Sequence, residues 1–229
     1  MDDMGAMNET NLRREMGNTN NCDYRVSLII PIYNMAEWLD TCFQSILNQS
    51  IDPQMVEVLM IDDGSEDNSL DIMKRYSEKY SNFKCYTKEN GGPAQARNFG
   101  IKHATGKYLM YLDPDDYLGK NTIESVCNFF YRHYDEIDVV TYKIIPIKDG
   151  EEQDLHFRYE VLKSQGVYDL TEPENSFICH TTMNTCVKNK FEKNVLFSEN
   201  LFYHEDQKYN IDTLKEKQKI GYCDNAEYY

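Results

Sequence analysis

Asp113-Pro114-Asp115-Asp116 sets carboxylates two positions apart directly after an apolar run, Tyr108 to Leu112. In an extended segment residues i and i+2 project to one side, and proline keeps the residue before it out of the helical region. Asp113 and Asp115 are therefore expected to point together. Two hard oxygen ligands that leave most coordination positions open suit Mg²⁺ or Mn²⁺, with water and phosphate oxygens completing the shell. A cation held there would neutralise a diphosphate leaving group as its charge develops. The plainer reading of the same acids is solvated loop residues or helix caps. Asp62-Asp63-Gly64-Ser65 follows a second apolar run, Val56 to Ile61. It is either an ordinary turn with a helix N-cap or a place where Asp63 accepts a hydrogen bond from a base or ribose.

Asn90 through Asn98 joins two glycines, Gly91 and Gly92, which let a backbone approach closely, to Pro93, which suits the start of a helix. That helix N-terminus could face phosphate. Arg97 lies one turn in, on the face of Ala94, Asn98 and Ile101, and should point inward. An inward arginine needs acidic partners, and the strand-end aspartates are candidates; a counter-ion role and direct phosphate contact both remain open. Farther on, Tyr203-His204-Glu205-Asp206-Gln207 opens another helix with an acidic pair. Acids in a first turn usually complement the helix dipole, although a positioned carboxylate could also take the proton from an attacking hydroxyl.

The elements that must position these residues form an alternation. Val26 to Ile30 closes at Pro31 as a buried strand, and Leu39, Cys42, Phe43, Ile46 and Leu47 give one apolar helical face. Val56 to Ile61 is the next strand, followed by a helix through Leu70, Met73, Tyr76 and Tyr80. Phe83 to Tyr86, a helix over Ala94 to Ala104, Tyr108 to Leu112, a helix through Ile123, Val126, Cys127, Phe130 and Tyr134, and the strand Ile137 to Tyr142 complete the series. Such alternation predicts parallel βαβ units in a Rossmann-like, doubly wound, mostly parallel sheet, with ligands outside the C-terminal strand ends. Beyond Tyr142 only 203 to 216 reads as helical, and a smaller mixed region on the ligand edge is expected.

The formal net charge of −15 argues against a nucleic-acid partner and makes an anionic ligand dependent on a cation or local donors. Seven scattered cysteines without a CxxC pair suggest neither a disulfide framework nor a zinc knuckle. No run reaches the roughly 18 apolar residues of a membrane span. A cytosolic domain is expected, one that could sit peripherally at the inner face of a membrane. Residues 1–23 are polar and without periodicity, and are read as a disordered leader.

Taken in order, these residues resemble the family 2 glycosyltransferases of the GT-A fold, over roughly residues 24 to 222. Ser27 to Asn34 looks like the family's first strand and P-x-Y-N turn, Asp62-Asp63-Gly64-Ser65 like its D-D-G-S, and Gly91 through Asn98 with Gly100 like its G-x-x-x-A-R-N-x-G. Asp113-Pro114-Asp115-Asp116 looks like its D-x-D-D and Glu205-Asp206 like its late E-D pair. The resemblance implies an inverting, metal-dependent hexosyl- or N-acetylhexosaminyl-transferase. Its donor would be a nucleotide sugar, by family habit a UDP-sugar, and its acceptor a hydroxyl of an envelope glycan or glycopolymer. Pro31, Ile32, Tyr33, Asn34, Asp63, Gly91, Gly92, Arg97, Asp113 and Pro114 would border the donor. Asp115 with Asp113 would hold Mn²⁺ or Mg²⁺, and Asp206 would be the base, with Glu205 as fallback. Residues 24–142 would form the nucleotide-sugar region and 143–229 the acceptor side, cut short of the family's usual C-terminal extent. Two other readings compete: a nucleotide-sugar-binding module without turnover, and an aspartyl phosphatase using Asp113 as nucleophile.

Overall fold

The computed structural model describes residues 25–153, 162, 164–175, 183–201 and 204–229. The leader and Tyr203 lie outside the described residues. The strands are β1 (Val26–Ile32), β2 (Val56–Asp62), β3 (Phe83–Thr87), β4 (Tyr108–Tyr111), β5 (Val139–Ile144), β6 (Ile147–Lys148), β7 (Glu151–Glu152), β8 (Gly166–Asp169), β9 (Thr185–Lys188) and β10 (Lys219–Tyr228). The α-helices are α1 (Leu39–Leu47), α2 (Ser69–Lys79), α3 (Pro93–His103), α4 (Thr122–Arg132) and α5 (Glu205–Leu214). Among the described residues no helix is long and apolar enough to cross a membrane.

Eight strands make one sheet in the order β3-β2-β1-β4-β9-β5-β10-β8. β1 pairs in parallel with both β2 and β4, β2 with β3, and β10 with β5, while β9 and β8 run against their neighbours. The sheet is therefore mostly parallel, as the alternation predicts.

Period-2 alternation sends successive side chains to two cores. Leu28 and Ile30 of β1 join Phe43 of α1, Met73 of α2 and Phe130 of α4 on one face. Ile29 joins Ala96 and Ile101 of α3 and Tyr209 of α5 on the other. Helices thus cover both faces, and the sheet is doubly wound. The order reverses between β1 and β4, since the chain builds outward through β2 and β3 before returning to β1's other side, and a crevice is expected at such a switch point.

Two features differ from the sequence-based expectation. β1 does not close at Pro31 but runs through it to Ile32. Ile29 C=O accepts from Leu112 N–H at 3.1 Å and Ile32 C=O from Asp63 N–H at 2.8 Å, so Pro31 turns its missing donor to the side where β4 has already ended. In addition, the region after Tyr142 supplies β8, β9 and β10 to the main sheet, with β9 inserted between β4 and β5.

Candidate functional site

The turn after β4 carries the acids. Asp116 N–H donates to Asp113 C=O at 3.1 Å, closing a β-turn with Pro114 and Asp115 at its centre. The segment is therefore not extended, as the sequence reading had it. Proline's fixed φ suits the second position of a turn, and this use outweighs its extending effect on Asp113. Both Asp113 and Asp115 nevertheless face one cleft of about 350 Å³ at the β1/β4 switch point. Its wall also includes Pro31 and Ile32 at the end of β1, Tyr33 and Met35 after it, Asp63 after β2, and Asn90, Gly92, Pro93, Ala96 and Arg97 at the start of α3.

Arg97 is buried, and its two terminal nitrogens serve different acids: Nη2 lies 2.9 Å from Asp113 Oδ1 and Nη1 3.7 Å from Glu205 Oε1. The expectation of an inward arginine on strand-end carboxylate holds, and Glu205 adds a partner from far along the chain. Glu205 arrives because α5 is anchored to the core. Tyr209 shares a hydroxyl contact of 2.6 Å with Tyr111 of β4, and its ring stacks on Phe197 at 4.0 Å. The Arg97 guanidinium lies 5.5 Å from the same Phe197 ring. Asn98 fixes Phe197 by exchanging hydrogen bonds with its backbone, accepting at 2.7 Å and donating at 3.0 Å. Asp206 follows in the first turn of α5 and is not part of the cleft wall.

Asp63 is buried and holds the glycine bend in place. Its carboxylate accepts from Lys88 Nζ and from the N–H groups of Gly91 at 3.1 Å and Gly92 at 2.7 Å. Gly92 has φ 85° and ψ 168°, a conformation essentially confined to glycine, and so brings the backbone against the cleft before α3 begins. Gly91 is exposed and is not part of the cleft wall. Asn34 also lies outside it: with φ 54°, it turns its Oδ1 to Glu66 N–H at 2.8 Å while Ser65 Oγ accepts its N–H at 3.0 Å. Asparagine tolerates this left-handed backbone, and the P-x-Y-N segment is thereby tied to the D-D-G-S turn. Asp62, the neighbour of Asp63, accepts from Ser65 N–H and Thr87 Oγ1, and both bonds stabilise that turn.

Asp116 lies behind the turn, and its pKa is pushed up to about 6, chiefly by burial and further by Asp115 and Asp113, against a hydrogen bond from Tyr228 that lowers it. Tyr228 itself, buried and beside Asp113 and Asp116, is held far above the ordinary phenol value and stays protonated. Sequence reasoning missed Tyr228, Lys88 and Phe197. Only Asn98, inside the quoted motif, gave any signal of the loop it fixes.

Among the described residues no three His, Cys, Asp or Glu side chains gather into a closed metal site. Mg²⁺ and Mn²⁺ do not need one where substrate phosphate supplies ligands. Exposed Asp115, which has no hydrogen bond or ion pair among the described residues, and the second oxygen of Asp113 form an open, hard donor pair that fits such an ion.

Known proteins resemble this chain along most of its length. Minor teichoic acid biosynthesis protein GgaB of Bacillus subtilis is 36% identical over 217 residues, covering 93% of this chain and 23% of that protein. Poly(ribitol-phosphate) beta-glucosyltransferase of Bacillus spizizenii is 28% identical over 214 residues, covering 90% of this chain and 32% of that protein. The chain thus spans about a quarter to a third of the length of these curated relatives. The crystal structure of S. aureus TarS 1-349 in complex with UDP-GlcNAc matches with a TM-score of 0.75 at 25% identity, covering 90% of this chain and 57% of that one. The GT-A fold that the motifs implied is the one these structural relatives share. The family model described as Glycosyl transferase family 2 matches residues 27–194, well over half of the sequence, and the chain belongs to that family.

Proposed function

We propose that the chain transfers a sugar from a nucleotide diphosphate donor to an acceptor hydroxyl, with inversion at the anomeric carbon. The observation that carries this reading is the cleft at the β1/β4 switch point, where the exposed Asp115 and the Arg97-paired Asp113 meet Pro31, Tyr33 and Asp63. A UDP-sugar is favoured as donor because the S. aureus relative is a UDP-GlcNAc complex. A cell-envelope glycopolymer is favoured as acceptor because the Bacillus relatives are named for teichoic acid and poly(ribitol-phosphate).

Tyr33, with 44% of its surface exposed at the cleft, offers a ring face for the base. Asp63, whose carboxylate accepts from Lys88, Gly91 and Gly92, stands in the same cleft beside the place of the base or ribose. Arg97 lines the same cleft and brings positive charge to the place of the diphosphate. A Mn²⁺ or Mg²⁺ held by Asp115 and Asp113 would supply charge stabilisation for the departing diphosphate. Asp206 takes the proton of the acceptor hydroxyl as its oxygen bonds to the anomeric carbon and the bond from that carbon to the diphosphate oxygen breaks. The products are a glycoside of inverted configuration and a nucleoside diphosphate.

Calorimetric titration of UDP with and without Mn²⁺ tests the site. Asp115→Ala should abolish the metal-dependent part of the affinity, and undiminished binding would remove the assignment. Asp206→Asn should bind donor normally and lose transfer to a polyol-phosphate acceptor; wild-type turnover in that variant would reject it as the base.

A further inference from the structure

Asp115 makes no hydrogen bond or ion pair among the described residues, so its position is set by the backbone of the turn that carries it. That backbone is fastened from the far end of the sequence. β10 advances from Cys223 to Glu227 while its partner β5 advances only from Tyr142 to Lys143, and this bulge redirects residues 227–229 onto the segment after β4. Tyr117 and Tyr229 exchange backbone hydrogen bonds at 2.9 and 2.8 Å, and their rings stack at 4.9 Å. Gly119 N–H and Thr122 Oγ1 both donate to Glu227 C=O, at 2.9 and 2.8 Å. Between these contacts lies Tyr228, 2% exposed. Its hydroxyl accepts from Asp113 N–H at 3.1 Å and donates to Asp116 Oδ2 at 2.7 Å, joining both ends of the turn.

We propose that Tyr228 is a positioning residue for the metal-bearing turn: its one hydroxyl fixes Asp113 and Asp116, and through them the place of the Asp115 carboxylate in the cleft. The proposal rests on the donor-site reading above. A phenol suits the task because it donates and accepts through one atom on a rigid ring. Phenylalanine would fill the same space but leave the Asp113 N–H and an Asp116 oxygen unpaired. Mg²⁺-type coordination demands near-ideal geometry, so a small shift of the turn weakens metal-dependent binding while leaving the nucleoside contacts of Tyr33 and Asp63 untouched.

The test measures UDP affinity by calorimetry, with Mn²⁺ and with EDTA, alongside thermal melting. Tyr228→Phe is expected to lower the Mn²⁺-dependent affinity about tenfold and the metal-free affinity by less than about twofold. Tyr142→Phe is the matched control. That tyrosine is also fully buried, and its hydroxyl donates to Met183 C=O at 3.0 Å, outside the turn. It should lose thermal stability to a similar degree and keep wild-type Mn²⁺-dependent affinity. If Tyr228→Phe folds poorly, Tyr229→Ala strips the ring stack without opening the core and should show the same metal-selective loss. Wild-type Mn²⁺-dependent affinity in Tyr228→Phe, or in Tyr229→Ala where Tyr228→Phe does not fold, or equal losses with and without metal, overturns the positioning role. If Asp115→Ala has meanwhile lost its metal-dependent binding, the donor-site reading survives that failure. Wild-type affinity in Asp115→Ala sinks both.

Discussion

The two edges of the parallel sheet handle negative charge in opposite ways. At the C-terminal ends of the strands Lys88 serves Asp63, but among the described residues Asp113, Asp115, Asp116 and Glu205 share one nearby cation, Arg97, which pairs with only two of them. At the N-terminal ends the balance is reversed. Asp138, just before β5, is surrounded by the ammonium groups of Lys190 at 3.0 Å, Lys217 at 3.3 Å and Lys188 at 3.4 Å. Glu57, fully buried in β2, holds Lys84 and also accepts from Ser27 and Thr105. Acids at the N-terminal edge are satisfied within the protein, and their pKa values move down as paired carboxylates should. The acids around the Asp113 turn at the other edge are left short of positive charge, and Asp116 moves up. In a chain of net charge −15 such a deficit is costly for folding alone, and it is the arrangement expected where a ligand's cation completes the balance.

The largest effect should come from removing the cation that serves the acids around the Asp113 turn. Arg97→Ala leaves Asp113 and Glu205, both mostly buried, without a partner, and breaking a buried pair from one side costs about 3 kcal/mol. Urea denaturation should show that loss together with a loss of UDP binding. A variant of wild-type stability would mean that the acids at this edge are better solvated than their burial indicates, and the contrast between edges would fail.

Asp138→Asn probes the opposite edge. Burial alone would raise its pKa, but the Lys190 hydrogen bond and the charges of Lys190, Lys217 and Lys188 outweigh it, so the folded value lies below the unfolded one of about 3.9. A depressed carboxylate contributes stability that is present above the unfolded pKa and disappears as pH falls through the folded value. The variant should therefore be less stable than wild type by about 2 kcal/mol at pH 7, as for a hydrogen bond between charged groups. The difference should persist to about pH 5 and shrink below about pH 4. A gap that stays constant down to pH 3 would show that shape rather than charge holds this cluster.

The contrast between edges was only half legible in the sequence. β1 to β5 stood out because strands buried on both faces appear as apolar runs and helices repeat at 3.6 residues. The acidic edge followed from where those runs ended. β10 did not stand out: Asp224 and Asn225 interrupt it at the bulge, and its apolar residues never form a run. β8 and β9 have four residues each, too few for period 2 to separate from chance. The turn at Asp113 was placed correctly but given the wrong shape, because proline favours both an extended residue before it and the second position of a turn. Partners distant in sequence, such as Glu205 for Arg97 and Tyr228 for Asp116, left no local pattern to read.

The smallest expected change in stability belongs to the residue on which the proposed activity most depends. Asp115 is exposed, has no ion pair among the described residues, and lies beside Asp113 and Asp116, whose charges oppose its own. Replacing it with alanine removes repulsion and no packing, so urea denaturation should place Asp115→Ala within about 0.5 kcal/mol of wild type, on the stabilised side if it differs. Mn²⁺ should then raise the melting temperature of UDP-bound wild type and not of the variant, since a ligand stabilises only the state that binds it. A clear loss of stability without metal would mean that Asp115 already has a structural partner, and the charge deficit at this edge would no longer argue for a cation.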